Sequence, residues 1–245
     1  MLEKILLYLI QFLNKLFDYS LSCLMILCLL YGLYGFYDTY TLYNHYSAET
    51  ITYKPDSDDN TAFSELKSQY NDICAWISID HTNIDYPILQ GTDNSTYLNK
   101  DYKKDYALIG SVFLDYRNHK DFSDFYNLLY AHSMKGNCMF GMIPQYLKED
   151  FFHAHKTGSI YIDNQSYTLN IFASMSTDAY DTHIYYPHKI QTLQTKEQFL
   201  KYIKNNATHY SPISLSTNDH ILAMSTCSYD TTNGRIVVFA KIEKS

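Results

Sequence analysis

The stretch "ILAMSTCSYDTTNGRIVVFAKI", residues 221–242, holds two apolar runs separated by a seven-residue polar loop, 228–234. The loop ends in Asn233-Gly234, a strong turn signal, so the two runs are expected as antiparallel neighbours. In the second run Ile236, Val238, Ala240 and Ile242 share one face. Arg235, Val237, Phe239 and Lys241 share the other, the period-two pattern of a strand. Cys227 closes the first strand and Arg235 opens the second, so the hairpin brings a thiol and a guanidinium to one rim of a sheet. Arg235 is one of only two arginines among 19 basic residues, the other being Arg117. A guanidinium presents a rigid fork of donors that can hold a developing oxyanion, which the point charge of lysine does not offer.

Upstream of this hairpin the same short β-branched or aromatic runs recur at 75–79, 84–89, 109–114, 126–131, 158–163 and 166–175, making eight expected strands. Phe63, Leu66 and Tyr70 recur at i, i+3 and i+7 and predict a short helix over about 60–72. Phe199, Tyr202 and Ile203 form a helical stripe among Lys and Glu, which predicts a helix over 195–206 inserted before the last two strands. Many short strands with few helices point to one mostly-β domain, a barrel or a sandwich, spanning 58–245.

Hydrophobic residues make up 46% of the 245, ample for one such core, and Gly 8 with Pro 5 excludes collagen-like and low-complexity chains. The net charge of −7 argues against a nucleic-acid partner, which would want a basic face. The five cysteines, at 23, 28, 74, 138 and 227, show no CxxC spacing and suggest neither a zinc site nor a disulfide framework.

Residues 19–37 carry no charge, and at about 1.5 Å per residue they span roughly 28 Å, enough to cross a bilayer. Lys4 and Lys15 precede them and Asp38 follows, so residues 1–18 are expected in the cytoplasm and everything after 38 outside. A cleaved signal peptide would have a shorter apolar core and an A-x-A-like site. Residues 38–57, polar and running into "KPDSDDN" (54–60), read as a linker.

A thiol nucleophile needs a proton-transfer partner that is distant in sequence and close in space. Of ten histidines, only His132 directly follows a strongly apolar strand, "NLLYAH", a strand-end position like that of Cys227. His153 and His155 have an HxH spacing without a suitable third ligand and read as a surface turn, so no metal is expected. Arg117, in "LDYRN", reads as a loop cation packed against neighbouring tyrosines.

"STC" followed by "GRIVVFAK", with "NLLYAHSM", "GSVFLDYRN" and "TNIDYPILQGTDNSTYLNKDY", resembles the sortases, and the inserted helix favours class B. The likeness runs from about residue 60 to 242. It implies an eight-stranded sortase-type β-barrel with Cys227 as nucleophile, His132 as general acid/base and Arg235 as stabiliser of the substrate carbonyl. It further implies substrate contacts from Asn94, Leu98, Thr182, Tyr185 and Ser225, and no cofactor.

A sortase of this class would be a single-pass membrane enzyme. It would cut an NPxTx-like C-terminal sorting motif of secreted proteins through a thioester and join the product to a peptidoglycan amine. The alternatives are a pilin-polymerising sortase, whose acceptor is a lysine of another pilin, and a catalytically inactive binding module. Dedicated pilin sortases often carry a second, C-terminal membrane helix, whereas this sequence stops ten residues after Arg235. A papain-like hydrolase is disfavoured because the thiol lies late in the chain and no C-G-S-C-W pattern precedes a helix.

Overall fold

The alternating runs fold as expected in the computed structural model, which describes residues 1–56, 60–228 and 230–244. The eight strands are β1 (Ile73–Ile79), β2 (Asp85–Leu89), β3 (Val112–Leu114), β4 (Tyr126–Tyr130), β5 (Thr157–Ile162), β6 (Gln165–Asp178), β8 (His220–Cys227) and β9 (Gly234–Lys244). A two-residue strand, β7 (His209–Tyr210), was not expected; two residues are too short to carry a periodic signal. The strands pair in the order β5-β1-β2-β3-β4-β8-β9-β6, and β5 pairs back onto β6, so eight strands close into a barrel. Closure removes the free sheet edges that would otherwise template aggregation. β6 makes this possible by its 14-residue length: its first half pairs with β5 and its second half, on that side, with β7.

Two pairings are parallel, β2 with β3 and β4 with β8. The second is the one that positions the site, because parallel strands end at the same rim.

Both faces of the central strands are buried, for different reasons. One face fills the barrel. The other, carrying Tyr126, Leu128, Ile221, Ala223, Val237 and Phe239, packs beneath the inserted helix α4 (Leu193–Asn206), which contributes Phe199 and Ile203. That helix starts two residues earlier than expected because Thr192 and Thr195 form a reciprocal capping box. Its i, i+4 pair of Phe199 and Ile203 supplies the apolar stripe. The expected first helix of the domain is α2 (Thr61–Gln69), whose buried Phe63 meets the rings of Trp76 and Tyr161 edge-on at 5.9 and 5.7 Å.

The chain divides into two units, residues 1–47 and 48–245. α1 (Leu2–Ile51) contains an apolar stretch that lies in the first unit, Leu2–Tyr37, of 36 residues, long enough to cross a membrane. The segment read as a linker over 38–57 is instead helical as far as Ile51. Residues 38–51 contain neither Gly nor Pro, so nothing in the backbone stops the helix there; Pro55 is the first residue that cannot continue it. The acidic residues at 58 and 59 lie outside the described residues. His153 and His155 are also not in a turn: His153 belongs to the six-residue α3 (Glu149–Ala154), and His155 caps it, stacked on Phe151 at 3.8 Å.

Candidate active site

The parallel pairing of β4 with β8 sets Tyr130 opposite Ser225. Two residues further along each chain stand His132 and Cys227. Equal offsets on parallel strands, with side chains alternating at period two, bring the imidazole and the thiol to the same rim and face. Thr226 Oγ1 locks this end by donating to the Ala131 carbonyl at 2.8 Å, just before both residues. On the other side of β8, Cys227 is the antiparallel register partner of Arg235, as the 228–234 loop implied. The rim residues thus continue the very face that is buried under α4 further along the same strands.

Beyond the cover of α4 this face opens into a groove of about 680 Å³. All eight residues singled out from sequence line it: Cys227, His132 and Arg235, with Asn94, Leu98, Thr182, Tyr185 and Ser225. Cys227 is exposed. Burial pushes the Cys74 thiol up to about 12 and also raises Cys138, so neither is suited to form a thiolate. The Arg235 guanidinium donates to the Gly234 carbonyl at 2.9 Å; among the described residues no carboxylate is paired with it. His132 Nε2 lies 2.7 Å from the Leu98 carbonyl oxygen.

The residues that sequence reading missed lie beneath the groove. Asp115, fully buried, accepts from Arg117 Nε at 2.7 Å and Nη2 at 2.6 Å, from Asn94 Nδ2 at 2.8 Å and from the Tyr130 hydroxyl at 2.9 Å. Burial alone would raise its pKa, but these donors outweigh the desolvation and hold the carboxyl below the usual range. Arg117 lies over the Tyr116 and Tyr186 rings, at 5.3 and 5.5 Å, as its reading among tyrosines implied. Its pairing with Asp115 was not foreseen.

Arg117 Nη2 also donates to the Tyr185 carbonyl at 2.8 Å, and the hydroxyls of Tyr185 and Ser225 are 2.9 Å apart. A second carboxylate, Asp181, accepts from Thr177 and Tyr202, both at 2.6 Å, tying the loop that bears Thr182 and Tyr185 to β6 and α4. Asn94 is committed on both sides, since its Oδ1 accepts from the Tyr116 amide at 3.0 Å. Period-two alternation read back from His132 could have flagged Tyr130, two residues earlier on the same face. The Asp115 network left no such signal.

Comparison with known proteins gives this geometry its context. The sortase domain model matches residues 77–243. Sortase B of Staphylococcus aureus is 35% identical over 186 residues, covering 74% of this chain and 75% of that protein. Sortase B of Listeria monocytogenes is 33% identical over 201 residues, 80% of each. Among solved structures, a Streptococcus pyogenes class B sortase involved in pilus biogenesis superposes with a TM-score of 0.69 at 42% identity, covering 75% of this chain and 98% of that one. A Staphylococcus aureus sortase B–substrate complex gives 0.68 at 34% identity, over 75% and 85%. The chain belongs to the sortase family of cysteine transpeptidases. Within that family it is of class B.

Proposed function

We propose that this class B sortase cleaves a C-terminal sorting pentapeptide of secreted proteins and transfers the new carboxyl end to an amine of the cell wall. The observation that carries the reading is the convergence of Cys227, His132 and Arg235 on one peptide-sized groove. Cys227 Sγ, relieved of its proton by His132, attacks the carbonyl carbon of the residue before the scissile bond. The carbonyl becomes an oxyanion held by Arg235, whose guanidinium is not engaged by a carboxylate among the described residues. As the C–N bond breaks, His132 returns the proton to the departing amine and a thioester remains. The acceptor amine attacks the thioester, gives its proton to His132, and releases Cys227.

Asn94, Leu98, Thr182, Tyr185 and Ser225 form the walls that orient the peptide. The apolar part of α1 serves as a single-pass anchor, with the Lys4 and Lys15 end in the cytoplasm and the barrel outside. That placement holds the groove where secreted proteins and lipid-linked wall precursors both pass.

A second reading, pilus assembly with a pilin lysine as acceptor, is supported by the 42% identity to the Streptococcus pyogenes enzyme. One experiment addresses both. The detergent-solubilised full chain is incubated with a library of sorting peptides, and acyl-enzymes on Cys227 are identified by mass spectrometry. Trapped thioesters are then offered wall-peptide amines or pilin-lysine peptides. Absence of any Cys227 acyl adduct would defeat the transpeptidase reading.

A further inference from the structure

The carbonyl oxygen of Leu98 can only accept a hydrogen bond, so the 2.7 Å contact with His132 Nε2 requires Nε2 to carry the proton. In the neutral imidazole the lone pair is then on Nδ1, which has no hydrogen-bond partner among the described residues. We propose that the Leu98 backbone carbonyl is a positioning group for His132: it fixes the Nε2–H tautomer and ring orientation, and it makes Nδ1 the atom that takes and returns the proton. The inference rests on His132 being the acid/base of the proposed function. It gives Leu98 a role apart from its side chain, which lines the groove.

A backbone carbonyl can orient a histidine only if it is itself held, and the fold holds this one from behind. Leu98 ends a single 3₁₀ turn, Thr96–Leu98. The chain then loops out and returns, with Ala107 N donating to Asn99 O at 3.0 Å and Ser111 N to Tyr97 O at 3.0 Å. At the point of return Gly110 adopts φ +61, a left-handed conformation that favours glycine. A Cβ at Gly110 would fall on the Leu98 carbonyl oxygen itself and within 2.7 Å of the Tyr97 oxygen and 2.8 Å of the Leu98 carbonyl carbon. The absence of a side chain at Gly110 is thus what lets the carbonyl stand where His132 needs it. In this arrangement the carbonyl does for His132 what a carboxylate or amide does for the base of other nucleophilic triads.

The test reads the tautomer directly. The full chain in micelles is labelled with ¹⁵N-histidine, and the His132 signals are assigned by their loss in His132→Asn. Neutral His132 is expected to be protonated at Nε2 and bare at Nδ1; protonation at Nδ1 overturns the proposal. Gly110→Ala should then displace the carbonyl. The neutral tautomer should become mixed, and kcat for thioester formation should fall about 10-fold or more with KM within about twofold, as expected when proton transfer alone is impaired.

Gly136→Ala is the control. It carries a similar left-handed strain, φ +78, but its Cβ would meet nothing within 4 Å, so tautomer and kcat should stay as in the parent. A folded Gly110→Ala with the parent's tautomer and kcat would overturn the positioning role. If that variant does not fold, the spectrum of the unsubstituted protein decides alone. A chain that shows the Nε2–H tautomer yet never acylates Cys227 would sink the transpeptidase reading and leave the orientation of His132 standing.

Discussion

Asp115 and Arg117 form a two-point ion pair at the groove, with the carboxylate fully buried and the guanidinium, which lines the groove, reaching on to the Tyr185 carbonyl. Asn94 and Tyr130 donate to that carboxylate from one side, and Tyr185 is held by Arg117 from the other, so both walls of the groove refer to one buried charge.

Asp115→Asn should therefore be costly although it preserves shape. Its amide would turn a donor group toward Arg117, Asn94 and Tyr130, all donors themselves, and would leave the Arg117 charge uncompensated. Loss of one partner of a buried pair costs about 3 kcal/mol or more, a loss to be read by denaturant titration. The pH dependence has a definite sign. Because the folded carboxyl lies below its unfolded value near 3.9, the pair's contribution is complete above that pH and is lost as pH falls through the folded value. The parent chain should lose stability on acidification below about pH 4, and Asp115→Asn should show a shallower loss.

Thiol reactivity should discriminate among the cysteines of the barrel. Cys227 is exposed, whereas Cys74 is buried with its thiol pushed up to about 12 and Cys138 is also raised. A methanethiosulfonate reagent should modify Cys227 first and abolish peptide cleavage. Cys227→Ala should fold normally and be inactive; retained cleavage in that variant would rule out the nucleophile assignment. Peptide mapping by mass spectrometry reports the order of labelling.

His132→Ala should lower turnover by roughly 10²- to 10⁴-fold, since the proposed mechanism moves a proton through this residue in both half-reactions. Substitution of His153 or His155, which sit on and beside the short α3, should leave turnover near that of the parent. Chelators should have no effect. Loss of activity in EDTA and its return with added metal would contradict the thiol–imidazole mechanism.

Arg235→Lys tests directed donation against bulk charge. The shorter ammonium keeps the charge and misplaces the donor, and loss of one oxyanion donor costs on the order of 100- to 1000-fold in rate. Single-turnover thioester formation should fall by that amount while the melting temperature stays near that of the parent, because no described carboxylate depends on this guanidinium. Near-normal acylation would reduce Arg235 to a field effect.

Topology can be read on intact cells. External protease should remove the barrel and leave a small protected N-terminal fragment that contains Lys4 and Lys15. A mature chain beginning beyond residue 40 would show instead that the apolar segment is removed.

The eight strands, the inserted helix and the rim position of Cys227 and Arg235 were legible because each rests on local signals. Period-two alternation, a 3.6-residue stripe and an Asn-Gly turn are properties of neighbouring residues, and they act before distant parts of the chain meet. The helix that continues into the expected linker was not anticipated, for a related reason. Polarity marks solvent exposure and does not by itself end a helix, and between residue 38 and Pro55 no Gly or Pro interrupts the backbone.

What sequence alone could not reach depends on strand order. The β4–β8 pairing joins residues about a hundred positions apart, and only that parallel register turns "NLLYAH" and "STC" into one rim. Asp115 lies at the end of an unremarkable run, and a carboxylate in a sequence reads as solvated surface. It becomes a buried hub because Arg117, two residues on, turns back onto it while the folding of the sheet brings Asn94 and Tyr130 around it and excludes water. The Leu98 carbonyl carries no sequence signature whatever, since every residue has a carbonyl. Its place beside His132 is decided by a returning loop and by the missing side chain of Gly110.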